Sequence, residues 1–256
     1  MNKPAAGSLM ISHMNALIGK ELRSFFSSLT GYIAIIVFLL TNGLLLWVFP
    51  GNTNIMDGGF ATLDSFFMLA PWVFLILIPA ITMRTIAEER KTGTMELLIT
   101  RPLSLLQIIM AKYAASLVVV LLSLLPALVF FYSVYHLGNP PGNIDMGGTW
   151  GSFIGLFLLA SVYAAIGIFS SSLTDNQIVA FLLAAALCFF FYTGLDLVSQ
   201  MHLSGSIQSI VQYLGIAEHY RSISRGVLDS RDLVYFLGII ALFMVFTFES
   251  IKNRKW

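Results

Sequence analysis

The sequence predicts an all-α protein that crosses a membrane six times, and three observations carry that prediction. Hydrophobic residues make up 57% of the 256-residue chain, with 21 Phe and a mean hydropathy of +0.85, more apolar than a soluble core requires. A hydrocarbon layer of about 30 Å takes about 20 apolar residues per helix. Six stretches of roughly that length occur, at 31–49, 65–84, 113–135, 151–172, 178–199 and 232–249. The connecting loops divide sharply in their Lys and Arg content, as the two faces of a membrane protein do. Residues 1–256 read as a single membrane domain.

The lead-in MNALIGKELRSFFSSL carries Lys20, Glu21 and Arg23 in place of the short apolar core and small-residue cleavage site of a secretory signal, so no cleavable signal is expected. Leu17, Ile18, Leu22, Phe25, Phe26 and Leu29 recur at mixed helical spacings, which suits an N-terminal helix lying in the membrane interface. An ordinary polar lead-in fits the same residues. With the N-terminus in the cytoplasm, that side holds Lys3, Lys20, Arg23, Arg84, Arg90, Lys91, Arg101, Lys112, Lys252, Arg254 and Lys255, 11 of the 14 basic residues. Only Arg221, Arg225 and Arg231 face out. Both termini are therefore expected inside, as an even number of spans requires. The loops at 50–64 and 136–150 contain no Lys or Arg and are expected outside.

The stretch AEERKTGTMELLITRPLS, joining the second and third spans, is dense in charge for a chain with 11% charged residues. Thr85 and Glu88 have capping-box spacing, so the second helix is expected to continue or restart there. Gly93 suits a helix end that needs positive φ. Thr94 can cap a second short helix, with Glu96 in its first turn, and Pro102 ends it. Met95, Leu97, Leu98 and Ile99 give that helix an apolar face able to enter a groove on a cytoplasmic partner, with Glu88, Glu89, Arg90 and Lys91 fixing register by charge. A solvated loop beside lipid phosphates fits the same spacing. Ser104 and Gln107 form a second capping-box pair, so the third helix is expected to start before the membrane.

Farther along, GSFIG at 151–155 and ASVYAA at 160–165 put small residues four apart, which predicts close packing of the fourth span. Pro71, Pro79 and Pro126 sit inside spans and bend them. Asp175 and Asn176 read as a turn and a cap. Apart from Asp232 and Glu249, the two end residues of the sixth, Asp196 is the one acid inside a predicted span, a candidate intramembrane polar site, though its place near the outer end also suits an interfacial acid or a helix-end hydrogen bond. Residues 200–232 read as short outer helices broken near Gly215 and Gly226, with Ile207, Ile210, Val211 and Leu214 on one face. Glu218, His219, Tyr220 and Arg221 there are candidates for an outer gate, or for ion pairs and an aromatic belt that hold the helices together.

Several functions are poorly supported. A net charge of +1 with no basic run offers nothing to nucleic acid. The single Cys188 gives no disulfide framework, and His13, His136, His202 and His219 are scattered without metal-ligand spacing. No nucleophile elbow occurs. No G-x4-G-K-[ST] phosphate loop occurs either, so this chain is not expected to be an enzyme.

The string EERKTGTMELLITRPLS resembles the signature between the second and third spans of ABC-2 type transporter permeases, EE-x3-GT-x-E-LL-x-T-x-P. A second string, AEHYRSISRGVLDSRDLVYF at 217–236, is similar to the segment before the last span in the subgroup containing gliding-motility-associated permeases and the copper-processing permease of nitrous oxide reduction. The first resemblance implies that the helix between spans two and three is a coupling helix contacting a separate P-loop ABC ATPase. Glu88, Glu89, Arg90, Gly93, Thr94, Glu96, Leu97, Leu98 and Pro102 would form that interface. It further implies a second permease subunit, identical or related, and ATP and Mg bound on the ATPase with no cofactor on this chain; the second resemblance implies a bacterial inner membrane, with export or a gliding-related role expected. The competing reading is a self-sufficient secondary transporter or channel, which would need ionisable or broken-helix features near the bilayer midplane.

Overall fold

The computed structural model describes residues 6–99, 103–201, 205–226 and 229–253. Its described elements are helices, with no strand among them: α1 (Ala6–Ser27), α2 (Thr30–Trp47), α3 (Ile55–Gly58), α4 (Asp64–Thr82), α5 (Ala87–Lys91), α6 (Thr94–Ile99), α7 (Leu105–Leu137), α8 (Met146–Leu173), α9 (Gln177–Phe189), a π-helical turn at Phe190–Gly194, α10 (Leu195–Ser199), α11 (Gly205–Tyr213), α12 (Ile216–Ile223) and α13 (Ser230–Lys252). Six stretches are long and apolar enough to span a bilayer: Thr30–Trp47, Asp64–Lys91, Leu105–Leu137, Met146–Leu173, Gln177–Ser199 and Ser230–Lys252. The protein is an all-α polytopic membrane protein.

Two spans start earlier than hydropathy alone places them. Ser104 accepts from the Gln107 amide while Gln107 returns the bond to the Ser104 amide, so the expected capping box sets the start of α7. At 33 residues α7 is about 50 Å long, well beyond a hydrocarbon layer of about 30 Å. Its first turns therefore extend past the layer and carry Lys112. Asp145 likewise caps α8 by accepting from the Gly148 amide. The prolines Pro71, Pro79 and Pro126 lie inside continuous helices.

Span burial grades from centre to rim. In α8 78% of the span is buried, against 22–28% for the spans built on α2, α9 and α13. Small residues explain this: Ala160, Ala164, Ala165 and Gly167 let neighbouring backbones approach, where lipid offers no hydrophobic gain for helices that merely touch. A Cβ at Gly167 would lie 1.9 Å from Thr82 Oγ1 and 2.8 Å from Thr82 Cβ on α4. One at Gly155 would meet Ile223 Cγ2 of α12 at 2.7 Å. The GSFIG stretch thus packs against α12 within this same chain. Phe38 and Phe74, with centroids 4.4 Å apart, join α2 to α4 by stacking.

Gly167→Ala is expected to destabilise the bundle by about 1–3 kcal/mol, the usual range for overpacking a tight site. Thr82→Ala should restore part of the loss, because it removes the 1.9 Å contact and leaves the one at 2.8 Å. Thermal unfolding in detergent checks both.

Candidate functional site

The charges of the 84–96 segment converge with those of α1 and α7 at one end of the bundle. Lys112 is 1% exposed, and a buried ammonium must fill its three donors or lose its charge. It donates to Glu21 Oε1 at 3.2 Å and to the Thr85 carbonyl at 2.7 Å, and forms an ion pair with Glu89 Oε2 at 2.7 Å. Lys20 closes the cluster from the rim, 2.9 Å from Glu89 Oε1 and 3.4 Å from Glu21 Oε1. Two acids and two lysines thus balance, drawn from α1, α5 and α7.

Further contacts fix the rest of the segment. Thr85 and Glu88 do not form the expected capping box; Thr85 donates to the Thr82 carbonyl and Glu88 pairs with Arg84 at 3.0 Å. The first amides of α5 are instead satisfied from another helix: Ser171 Oγ on α8 accepts from Ile86 N and Ala87 N and donates to the Met83 carbonyl. Arg84 also donates to Thr30 Oγ1 at the start of α2, at 2.6 Å. Arg90 bonds the Ser172 carbonyl and pairs with Asp175 at 2.6 Å, so Asp175 does more than make a turn. Asn176 caps α9 as expected. Ser250 of α13 donates to the same Ser172 carbonyl.

Gly93 takes φ +70°, the left-handed geometry expected of it. Thr94 is not a cap; it is the first residue of α6, and its hydroxyl donates to the Glu89 carbonyl. The apolar face of α6 points inward, with Met95 1% and Leu98 8% exposed, so these two pack in the chain's own core and do not offer a partner contact. The side chains of Leu97 and Ile99, and all of Pro102, lie outside the described residues. Of the 84–96 segment, Lys91, Thr92, Gly93, Thr94 and Glu96 face solvent, with Glu88 part-exposed beside them.

Sequence reasoning missed Lys112, Glu21, Lys20 and Ser171. The available signal was Lys112 itself, a cation in the otherwise apolar run LLQIIMAKYAASLVVV, whose burial demands acids from elsewhere.

At the opposite end, α12 is held by the residues singled out as an outer gate. Tyr220 is 3% exposed and donates to the Phe67 carbonyl of α4 at 2.8 Å; burial pushes its phenol well above the ordinary value, keeping it a neutral donor. Arg221 pairs with Asp196, so that acid is part of a helix-end ion pair. Glu218 accepts from Gln212 at 3.2 Å and lies 3.8 Å from Arg221. His219 stacks on Tyr235 at 3.7 Å, with one ring nitrogen 2.6 Å from Asp232 and the other 2.8 Å from the Tyr213 carbonyl. These four residues bind α12 to α4, α10, α11 and α13. No group of three or more His, Cys, Asp or Glu able to hold a metal occurs among the described residues.

Three outcomes follow from these contacts. Lys112→Met leaves Glu21 and Glu89 facing each other in a buried site and should cost about 3–5 kcal/mol, whereas Lys20→Ala, half-exposed, should cost about 1 kcal/mol or less. Chemical denaturation of the detergent-solubilised protein separates the two. Burial alone would lower Lys20, but hydrogen bonding and charge from Glu89 and Glu21 override it and hold it above 10.5. Its contribution is therefore complete below pH 10.5 and is lost only as pH rises past the raised value, which unfolding across alkaline pH measures. Tyr220→Phe should cost about 0.5–1.5 kcal/mol and raise hydrogen exchange in α12.

Comparison with known proteins gives these features a family. No curated protein matches the sequence. Residues 10–217 match the family model described as ABC-2 family transporter protein, which takes in α2 to α11 and the charged node and stops at the second residue of α12. Six membrane-length helices, of which α8 is the most buried, and a match over most of the chain lead to one conclusion: the protein belongs to the ABC-2 transporter family, the membrane permeases of ABC transporters.

Proposed function

We propose that the chain is the membrane subunit of an ABC transporter whose ATP-hydrolysing subunit docks on the exposed face of the segment between α4 and α7. The observation that carries this is a division of labour along 84–96. Glu89 and Arg90 are consumed in holding the segment to α1, α7, α8 and the α8–α9 turn, while Lys91, Thr92, Gly93, Thr94 and Glu96 are exposed at the tip, where Thr92 and Thr94 bond only within the segment. A push on that tip is delivered to several spans at once. A solvated loop would lose the same push in its own backbone freedom.

In this reading ATP and Mg bind the separate ATPase, and a second permease subunit, identical or related, completes the path. The bias of Lys and Arg supports a cytoplasmic position for both termini and the docking face, as in a bacterial inner membrane. Export is the direction we favour, from the family resemblance. The likeness of 217–236 to the gliding and nitrous-oxide subgroup begins where the family match ends, so the proposal takes no substrate or role from it. A self-sufficient transporter fits less well: Lys112, His136, Asp196 and the charges of α13 all lie toward the span ends, and none sits at a span centre.

The tagged chain, purified from its native membrane in mild detergent, is expected to carry a stoichiometric P-loop ATPase with measurable hydrolysis. Glu96→Lys combined with Lys91→Glu should release that ATPase while the chain remains inserted and unchanged in thermal stability, since both side chains are exposed. A chain that purifies alone, folded and without ATPase, under several gentle conditions would refute the proposal.

A further inference from the structure

A cavity of about 550 Å³ opens at the end of the bundle opposite the charged node. Its wall carries both signs of charge on separate elements. Asp64 lies in the first turn of α4 and Asp145 caps α8, while Arg221 belongs to α12 and Arg225 follows it. Arg221 is shared with Asp196, but its side chain stays 53% exposed. Asp64 and Arg225 are exposed and make no ion pair among the described residues.

The inner wall is chemically distinct. Tyr192 sits in the π-helical turn, a distortion that costs hydrogen-bond geometry and recurs at functional sites. Its hydroxyl has no hydrogen bond among the described residues, and its ring meets Trp72 edge-on at 5.6 Å. On the same side Trp72 and Met68 are 44% and 57% exposed, so the polar cavity continues into an apolar surface. That is the order of a bilayer interface, with charge at the span ends and apolar side chains one to two turns inward.

We propose that this cavity binds a phosphoethanolamine zwitterion, with Arg221 and Arg225 on the phosphate and Asp64 and Asp145 on the ammonium. Paired guanidiniums suit a phosphate, which accepts forked hydrogen bonds, and unpaired charges of both signs select a ligand that carries both. The volume exceeds what the headgroup alone needs, leaving room for a glycerol backbone whose acyl chains run along Trp72 and Met68. The site requires only that the spans lie in a bilayer, and it stands whether or not an ATPase drives the protein.

The test uses the full chain in uncharged detergent, titrated with dihexanoylphosphatidylethanolamine, dihexanoylphosphatidylglycerol and free phosphoethanolamine, with binding followed calorimetrically. Saturable binding of the ethanolamine lipid is expected, weakened about tenfold by Arg225→Gln and by Asp64→Asn, with unchanged melting of both variants. Competition by free phosphoethanolamine would extend the site to a soluble zwitterion, and failure to compete would assign it to the lipid. Equal binding of the glycerol lipid, no saturable binding of the ethanolamine lipid, or affinity unchanged in both variants would overturn the proposal.

Discussion

A lysine placed inside a membrane-length helix must be given counter-charge, and in this protein meeting that demand organises one whole end of the bundle. Lys112 is enclosed, and the two acids that satisfy it come from sequence positions far before it, Glu21 on α1 and Glu89 on α5. Desolvating an ammonium costs several kcal/mol, so the arrangement is stable only while its carboxylates stay in place. The surface pairs at the same end, Arg84 with Glu88 and Lys252 with Glu249, are each worth a fraction of that. The buried cluster decides where α1 and α5 sit; the surface pairs do not.

Because α5 is fixed from several directions, its tip acts as an extension of the spans. Ser171 takes the two amides that a helix start leaves open, and Arg90 reaches the carbonyl end of α8 and the following turn. α8 in turn is the most buried span, packed through its small residues against α4 and against α12 at the far end. A displacement at the tip therefore has a continuous packed route along α8 to the cap formed by Tyr220, Arg221 and Asp196. That continuity is what a permease driven from one face requires.

Hydropathy and local spacing made the six spans, the capping box at Ser104 and Gln107, the left-handed Gly93 and the outer helices broken near Gly215 legible in the sequence. All of these are properties of short windows. The ion cluster was not legible, because Lys112 and Glu21 are 91 residues apart and no local rule joins them. Thr85 and Glu88 had the spacing of a capping box, yet each found a stronger partner, the Thr82 carbonyl and Arg84. Met95 and Leu98 show the same limit. An apolar face on a short helix looks alike whether it meets a partner's groove or its own core, and here it meets the core. Asp196 gave its position but not its partner, since Arg221 lies 25 residues on.

The central claim is that the segment after α4 is a rigid part of the bundle and not a loop. Native-state hydrogen exchange at the Ile86 and Ala87 amides, in the detergent-solubilised chain, tests it most directly. The account predicts that both amides, bonded to Ser171 Oγ, exchange as slowly as the amides of α8 around Ser171. Exchange at the rate of the exposed Gly93 and Thr94 amides would contradict it and reduce the segment to a tether.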